Sequence, residues 1–302
     1  MSGINDGRVV VITGAGGGIG RAHALAFAAE GAKIVVNDLG GAADGSGGGD
    51  VGPAQKVVEE IKAAGGEAVA NGDDISSWDG AKALIDQAID TFGTIDVLVN
   101  NAGILRDRMM VNMSESDWDA VIKVHLKGTF APARHAAEYW KTQSKAGNQP
   151  VARIINTSSP SGIFGNVGQA NYGAAKAGIA AFTIITATEL SRYGVTVNAI
   201  APVALTRMTE NLVDPNAHPD IDKLSPDHIS PIVVWLGSPL SGDVTGRVFG
   251  VLGNKLTVQE PWVNGPAIDR DEIWSPGELT EVIPDMVRRA RGNSDMRGDT
   301  IV

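Results

Sequence analysis

Tyr172 and Lys176 are the side chains whose types and spacing could do chemistry together. They stand four residues apart in an Ala-rich stretch without proline, residues 170–192, which predicts a helix. Both side chains would then lie on one face of that helix. A lysine ammonium beside a phenol favours the phenolate and lowers the tyrosine pKa. We therefore expect Tyr172 to act as a general acid or base near neutral pH.

Ser159 precedes Tyr172 by 13 positions. The apolar run 152–156 predicts a buried strand, so Ser159 would lie at the carboxyl end of that strand. Open α/β sheets place their ligands at this end. A solvated helix face would show the same Tyr-x-x-x-Lys spacing, so the pair becomes specific only if a nucleotide site precedes it in the chain.

A glycine-rich turn near the start of the chain predicts such a site. The β-branched run 8–12 predicts a buried parallel strand, and Thr-Gly-Ala-Gly-Gly-Gly-Ile-Gly at 13–20 follows it directly, before an apolar-periodic helix at 21–30. Glycines there allow a tight turn and let the backbone approach a pyrophosphate at the helix N-terminus. The order of strand, turn and helix therefore predicts a dinucleotide site. A glycine-rich connector without a ligand is the alternative.

Asp38 closes the next predicted strand, residues 33–37, and lies 18 residues after Gly20. An acidic residue at this place hydrogen-bonds the ribose hydroxyls and repels a 2′-phosphate. Asp38 therefore favours NAD over NADP as the cofactor. The minor alternative is that Asp38 only caps the segment that follows it. Residues 39–52 are rich in glycine and poor in apolar side chains, which predicts a mobile loop.

Alternating strands and helices predict an α/β fold with a doubly wound parallel sheet, Rossmann-like, in a single domain with a C-terminal extension. The domain would span residues 1–253, and the extension, 254–302, would serve as an oligomer arm or a cover of the site. The remaining predicted strands are 67–70, 95–99, 195–200 and, as the last strand, 247–251. The remaining predicted helices are 53–64, 77–92, one long helix from the Ser114 cap towards Trp140, and 225–236. Residues 203–224 show no clear period and are a candidate substrate lid.

Composition excludes several classes of function. The 302 residues are 43% hydrophobic, enough for one large core, and 25 basic against 35 acidic residues argue against a nucleic-acid surface. The absence of cysteine excludes disulfides and thiol catalysis, and no His, Asp or Glu cluster has metal-ligand spacing. We find no apolar run long enough to span a membrane and no signal-peptide pattern, and we expect a cytoplasmic protein.

Together these motifs resemble the short-chain dehydrogenase/reductase family, over about residues 7–253. The resemblance rests on the glycine turn at 13–20, Asn-Asn-Ala-Gly at 100–103, Ser159, and the Tyr172 and Lys176 pair. Residues 35–41, 101–108 and 165–172 are similar to one subgroup. It comprises the (3R)-hydroxyacyl-CoA dehydrogenase domains of type 2 peroxisomal multifunctional enzymes and their bacterial single-domain relatives.

The resemblance implies a role for each site residue. Tyr172 would transfer the proton, Ser159 would polarise the substrate oxygen, and Lys176 would bind the nicotinamide ribose. His125 occupies the fourth catalytic position, usually Asn in the family, where it either holds a proton-relay water or only packs. Val203 departs from the Pro-Gly usual in the family. The implied cofactor-binding residues are Gly14, Gly18, Ile19, Gly20, Asp38, Asp74, Ile75, Asn101, Ala102, Gly103, Tyr172, Lys176, Pro202 and Thr206.

The expected activity is reversible, NAD-dependent oxidation of a secondary alcohol, with a (3R)-hydroxyacyl-CoA giving the 3-ketoacyl-CoA. Cations that could bind the CoA phosphates near predicted strand ends, or serve as ordinary ion-pairing residues, are Arg106, Arg108, Arg207 and Lys255. A hydroxysteroid or other bulky-alcohol dehydrogenase and a non-catalytic NAD-binding sensor or scaffold are the alternatives.

The resemblance also implies a homodimer or homotetramer. The predicted helix that carries Tyr172 has Ile179, Phe182 and Ile185 as an apolar face for pairing.

Overall fold

The computed structural model of the chain describes residues 3–47, 49–205, 221–260 and 262–301. Thr206 and Arg207, and with them most of the predicted lid, lie outside these residues.

One eight-stranded sheet forms the centre of the molecule, in the order β3-β2-β1-β4-β5-β6-β7-β8. The first seven strands pair in parallel, and β8 pairs antiparallel with β7. Parallel strands covered on both faces need continuous apolar runs, which is why the β-branched segments of the sequence become these strands. The doubly wound sheet is confirmed. The strands are β1 Val9–Thr13, β2 Lys33–Asn37, β3 Glu67–Asn71, β4 Val97–Asn100, β5 Ala152–Thr157, β6 Val195–Val203, β7 Val248–Leu252 and β8 Lys255–Gln259.

Helices cover both faces of the sheet and make two cores. One core packs α1, α2 and α8 against the strands, with Phe27 fully buried, and the other packs α3, α5 and α7, with Trp140 fully buried. No helix among the described ranges is long and apolar enough to cross a membrane. The helices are α1 Gly18–Ala29, α2 Gly52–Ala63, α3 Trp78–Phe92, α4 Glu115–Ile122, α5 Gly128–Lys145, α6 Pro160–Ile163, α7 Ala170–Leu190, α8 Ser230–Gly237 and α9 Leu279–Arg289.

The single long helix predicted from Ser114 towards Trp140 is wrong. A π-helical segment, Lys123–Lys127, separates α4 from α5, and the Gly128 N–H bonds the carbonyl of Lys123 five residues back. Pro132 has no N–H with which to bond the carbonyl of Gly128, so the ordinary helical ladder is also interrupted just after this segment. Single π-helical turns inside helices occur frequently at functional sites. This one carries His125.

The sheet continues past the predicted last strand. Strand β8 follows β7 through a two-residue turn, Gly253 and Asn254, with Gly253 at a φ of 53°. The boundary predicted at residue 253 therefore falls inside a hairpin. A Gly-Asn pair between two alternating apolar segments is a hairpin signal, and it could have predicted β8.

The apolar face predicted for subunit pairing is partly wrong. Ile179 is 1% exposed and belongs to the core, because the sheet side of α7 is apolar as well. Phe182 packs edge-on against Phe130, with ring centroids 6.3 Å apart. Ile185 is exposed, together with its neighbour Ile184.

Candidate active site

The turn between β1 and α1 depends on its glycines. Gly14 and Gly18 have φ values of 63° and 51°, in the left-handed region that glycine adopts without strain. A Cβ on Gly14 would lie 2.7 Å from the Cα of Ala102, and one on Gly20 would lie 2.2 Å from the carbonyl oxygen of Gly14. Glycine at position 14 therefore lets the segment after β4 approach the turn. Glycine at position 20 lets the Gly14 carbonyl approach the first turn of α1.

Hydrogen bonds join the turn to the end of β4. The Thr13 hydroxyl oxygen accepts from the backbone N–H groups of Asn101 and Ala102 at 3.0 and 3.1 Å. The Asn101 amide donates to the carbonyls of Thr13 and Gly14. The first and fourth strands therefore end in one rigid unit.

Asp38 is held at the end of β2 by two backbone groups. Its carboxylate accepts from the N–H of Gly16 and from the N–H of Gly40, each at 2.8 Å. A Cβ on Gly16 would lie 2.7 Å from the Asp38 Oδ2 atom, so this contact requires glycine at position 16. These two bonds fix the carboxylate of Asp38, which is one of the residues that line a cavity at the strand ends.

The loop predicted over residues 39–52 is described over 39–47 and 49–52; it has no regular secondary structure before α2 begins at Gly52, but it has defined contacts. Its Ala43 carbonyl accepts from the N–H of Leu105 at 2.9 Å, and its Asp44 carbonyl accepts from Arg106 Nε at 2.8 Å. The loop therefore joins the Asp38 end of the site to the segment after β4. Six of its residues line the cavity: Leu39, Gly41, Ala42, Ala43, Gly45 and Gly47.

A cavity of about 460 Å³ lies at the carboxyl ends of the strands. Gly20 is buried and does not line the cavity, and Thr206 lies outside the described residues. In the part of the chain that the structure describes, no group of His, Asp or Glu residues is placed to hold a metal ion. The predicted site residues that do line the cavity are Gly14, Gly18, Ile19, Asp38, Asp74, Ile75, Asn101, Ala102, Gly103, His125, Ser159, Tyr172, Lys176 and Pro202.

Ser159 caps the short helix α6. Its hydroxyl oxygen accepts from the N–H of Ser161 at 3.2 Å, and Pro160 occupies the first helical position. A Cβ on Gly162 would lie 2.5 Å from the backbone nitrogen of Ala177, so glycine there lets α6 pack directly on α7. The Ser161 N–H occupies one acceptor position of the Ser159 hydroxyl, and a hydrogen bond with Tyr172 engages the same hydroxyl.

Tyr172 stands in the first turn of α7, which Asn171 anchors. The buried Asn171 amide donates to the carbonyls of Arg106 and Asp117, and its oxygen accepts from the N–H of Tyr172. The Tyr172 ring meets the His125 ring edge-on, with centroids 5.1 Å apart. The start of α7 is therefore fixed against the segment that follows β4.

The expectation that Lys176 lowers the pKa of Tyr172 is wrong for the chain without ligands. Burial raises the pKa of Tyr172 to about 12, against a lowering effect of the hydrogen bond with Ser159, and Asp107 adds to the rise. Lys176 is 3% exposed, and burial lowers its pKa to about 7. A low-dielectric site disfavours the charged form of each group, so lysine supplies only part of a positive charge near neutral pH.

The Lys176 ammonium reaches across the end of β5. Its Nζ atom donates to the Thr157 carbonyl at 2.6 Å and lies 5.5 Å from the centroid of the Tyr172 ring. Ser158 ties the same helix to the strand, because its hydroxyl donates to the carbonyl of Lys176. Ser159, Tyr172 and Lys176 therefore meet in one wall of the cavity.

His125 is 1% exposed and lies beside Tyr172. Its Nε2 atom is 2.8 Å from the Ile104 carbonyl oxygen and 3.0 Å from the Ile104 nitrogen, and its Nδ1 atom has no hydrogen-bond partner among the described residues. Burial, and then the nearby Lys176, lower the pKa of His125 to about 3. The imidazole is therefore neutral, and the described residues leave the hydrogen-bonding capacity of its buried Nδ1 atom unused.

The predicted phosphate-binding cations differ in their surroundings. Arg106 donates to the carbonyls of Asp44 and Ser116, so it holds the 39–47 loop. Arg108 and Lys255 are exposed, Lys255 on the edge strand β8, whereas Arg207 lies outside the described residues. The Arg108 guanidinium donates to the Asp107 carbonyl, and its backbone N–H donates to the carbonyl of Gly168, just before α7.

Several cavity residues were not predicted as site residues, among them Gln169 and Met296. Gln169 donates to the carboxylate of Asp107 at 2.7 Å and accepts from the hydroxyl of Ser161, and its place just before Tyr172 could have drawn attention to it. Met296 comes from the C-terminal extension and lines the cavity through a contact distant in sequence, for which the residue pattern has no signal.

The fold and these side chains define a class of protein, a dinucleotide-dependent oxidoreductase: a glycine turn, an acidic residue after β2, and a Ser, Tyr and Lys set at the strand ends. Residues 8–217 match the family model described as short chain dehydrogenase. The chain belongs to the short-chain dehydrogenase/reductase family, whose members typically bind NAD or NADP.

Relatives with assigned names support this family. Hydroxyacyl-CoA dehydrogenase ChsB1 of Mycobacterium tuberculosis is 45% identical over 296 residues, covering 93% of this chain and 88% of that protein. Peroxisomal multifunctional enzyme type 2 of Mus musculus is 48% identical over 231 residues, covering 76% of this chain but 30% of that longer protein. The crystal structure of a short chain dehydrogenase from Mycobacterium avium is 57% identical, has a TM-score of 0.87, and covers 96% of this chain and 98% of that one.

Proposed function

We propose that the protein is an NAD-dependent dehydrogenase that oxidises a (3R)-hydroxyacyl-CoA to the 3-ketoacyl-CoA. The observation that carries the proposal is the convergence of Ser159, Tyr172 and Lys176 in one cavity wall, with Asp38 in the same cavity. The relatives named for hydroxyacyl-CoA dehydrogenation and for the peroxisomal multifunctional enzyme support the substrate class.

The chain has the features that a dinucleotide needs. Gly14 and Gly18 form a turn at positive φ, a Cβ on Gly14 would collide with Ala102, and α1 presents its N-terminus there. Asp38 is placed to accept from ribose hydroxyls and to repel a 2′-phosphate, which favours NAD. NAD⁺ would supply the hydride acceptor, and the protein orients it and the alcohol.

Tyr172 is the proton-transfer group of this proposal. In alcohol oxidation its phenolate accepts the hydroxyl proton, and in the reverse direction its phenol donates that proton. The Ser159 hydroxyl donates to the substrate oxygen, because its own oxygen already accepts from Ser161. Burial raises the pKa of Tyr172 to about 12, so its side chain is the neutral phenol in the protein alone. Oxidation needs the phenolate, which a positive charge next to Tyr172 would stabilise. We expect the oxidation rate to rise with pH.

His125 is proposed to hold the water of a proton relay beside Tyr172. Its Nε2 atom is fixed by the backbone of Ile104, so the unpartnered Nδ1 atom of the neutral imidazole would hydrogen-bond that water without the imidazole changing its own protonation state. His125→Asn keeps a hydrogen-bonding group of the kind usual in the family, and His125→Leu removes it. The Leu variant should lose kcat while NADH affinity is retained, and the Asn variant should retain more activity. If both variants had the same kcat as the wild type, His125 would have no role in proton transfer and would serve only in packing.

Arg108 is proposed to contact the phosphates of the CoA ester at the mouth of the cavity. Charge-assisted contacts of this kind weaken with salt, so the KM for acyl-CoA should rise with ionic strength and in Arg108→Ala. Arg288→Ala is a matched control, since Arg288 is an exposed arginine that pairs with Asp285 on α9. A steroid alcohol carries no phosphate, and its KM should be indifferent to salt.

The experiment that tests the proposed function is a substrate panel of hydroxyacyl-CoAs and hydroxysteroids with NAD⁺ and NADP⁺, followed by the absorbance of the reduced cofactor. Turnover of CoA esters with NAD⁺ supports the proposal. Turnover of free steroids far better than any CoA ester would overturn the substrate class. NAD⁺ binding without turnover of any alcohol would make the protein a sensor or scaffold.

The assembly is proposed to be a homodimer or homotetramer. Ile184 and Ile185 on α7, with Phe130 on α5, expose apolar surface on neighbouring helices. Light scattering at micromolar concentration tests this, and a monomer would contradict it.

A further inference from the structure

We infer that the Thr157 hydroxyl is an additional contact for the nicotinamide riboside end of the bound dinucleotide. This inference rests on the proposed function. Thr157 is 7% exposed, lines the cavity, and its hydroxyl oxygen is buried without a hydrogen-bond partner among the described residues. An unpaired buried hydroxyl costs free energy unless a ligand or a water completes its bonds.

An unpaired hydroxyl is not a general property of threonine at a strand end, as Thr13 shows. Both residues close a parallel strand at the cavity edge of the sheet. The Thr13 hydroxyl accepts from two backbone N–H groups and so completes the glycine turn. The Thr157 hydroxyl makes no such bond, although the Thr157 carbonyl accepts from Lys176. Its side chain therefore has hydrogen-bonding capacity that the described fold does not use.

The face of β5 on which Thr157 lies indicates the ligand. Successive strand residues point to opposite faces. Asn156 points towards α7, where its amide donates to Thr183, and Ile155 packs in the core beneath α1 and α8. Thr157 therefore shares the α1 face with Ile155, and Tyr172 is on α7.

A dinucleotide whose pyrophosphate lies at the N-terminus of α1 must cross this face to bring its reactive ring to Tyr172. The residues that line the cavity include Gly14, Asn101, Thr157 and Ser159. The part of the ligand that reaches Thr157 is thus the nicotinamide riboside rather than the adenosine. Its ribose hydroxyls and its carboxamide both offer partners to a hydroxyl.

Three variants and two ligands test the inference. Thr157→Val removes the hydroxyl at nearly constant shape, and Thr157→Ser restores it. Thr196→Val is the matched control, because the Thr196 hydroxyl is also buried and unpartnered among the described residues but lies at the other end of the sheet, on β6. The ligands are NADH and ADP, which lacks the nicotinamide riboside, with dissociation constants from calorimetry.

Thr157→Val should weaken NADH binding by about 3- to 10-fold, the range expected for one hydrogen bond, and should leave ADP binding unchanged. Thr157→Ser and Thr196→Val should bind NADH within about twofold of the wild type. Unchanged NADH affinity in Thr157→Val, or an equal loss for ADP, would overturn the inference while leaving the proposed function in place. Failure of the wild type to bind NADH would instead overturn the proposed function.

Thermal unfolding without nucleotide separates binding from folding. Thr157→Val should unfold at or above the temperature of the wild type, because replacing an unpaired hydroxyl by a methyl group removes a cost. A lower unfolding temperature would assign the hydroxyl to the fold and contradict the inference.

Discussion

Replacing Lys176 by methionine should make the folded chain more stable near neutral pH. Methionine has a side chain of similar length and flexibility, so it fits the same space without the amine. Lys176 is 3% exposed, and burial lowers its pKa from 10.5 to about 7. When the wild type folds, Lys176 must therefore either lose its proton or carry its positive charge into the protein interior, and each costs free energy.

The size of the effect follows from the two ionisation constants. Each tenfold change in an ionisation constant corresponds to about 1.4 kcal/mol, so the amine costs the folded state about 4 kcal/mol at pH 7. The lost hydrogen bond from Lys176 to the Thr157 carbonyl offsets about 1.5 kcal/mol of the gain. Lys176→Met should thus raise the free energy of unfolding by about 2–3 kcal/mol at pH 7.

The gain should disappear in alkali. Between about pH 7 and pH 10.5 the unfolded wild type binds more protons at this site than the folded one, so the stability of the wild type rises with pH across that window. At about pH 9.5 the cost of the amine falls to about 1 kcal/mol, close to the contribution of the lost hydrogen bond, and the two proteins should become nearly equal in stability. The variant should have lost its activity at every pH.

Urea unfolding without nucleotide, followed by tryptophan fluorescence at about pH 7 and about pH 9.5, measures both quantities. Lys141→Met is the matched control, since Lys141 is exposed on α5. A Lys176→Met protein less stable than the wild type at pH 7, or a difference that does not change with pH, would refute the assignment of Lys176 as a buried amine with a lowered pKa.

Three further substitutions test other parts of the site. Tyr172→Phe should reduce turnover by about 10²- to 10⁴-fold with NADH affinity nearly unchanged, and near-normal turnover would remove Tyr172 from proton transfer. Asp38→Ala should narrow the preference for NAD⁺ over NADP⁺ in kcat/KM, and a wild type that uses both equally would contradict the cofactor assignment. Gly103→Ala places a Cβ 2.3 Å from Cε1 of His125, so it should lower the free energy of unfolding by about 1–3 kcal/mol and reduce kcat; an unperturbed variant would show that His125 is free to move.

The fold could be predicted because its signals are local. Continuous β-branched runs became the parallel strands, and the glycines at 14 and 18 turned the chain at positive φ, as their positions after β1 indicate. The spacing of Ser159, Tyr172 and Lys176 likewise placed them together in one cavity wall, because a strand end and one face of a helix determine that arrangement.

The remaining features depend on contacts distant in sequence. The π-helical segment at His125 depends on the hydrogen-bonding register near Gly128, which apolar spacing does not report. The charge states of Tyr172 and Lys176 follow from how deeply the fold buries them, and the residue types alone suggest the opposite direction for the tyrosine. Met296 meets the cavity from the far end of the chain.

The most direct test of the central claim compares two epimers. NADH formation is measured with NAD⁺ and either (3R)- or (3S)-3-hydroxyacyl-CoA of the same chain length, with Tyr172→Phe as the inactive control. The proposed arrangement predicts NADH from the (3R) epimer, little from the (3S) epimer, and at least about 100-fold slower NADH formation in the variant. Preferential oxidation of the (3S) epimer, or near-normal NADH formation in Tyr172→Phe, would contradict it.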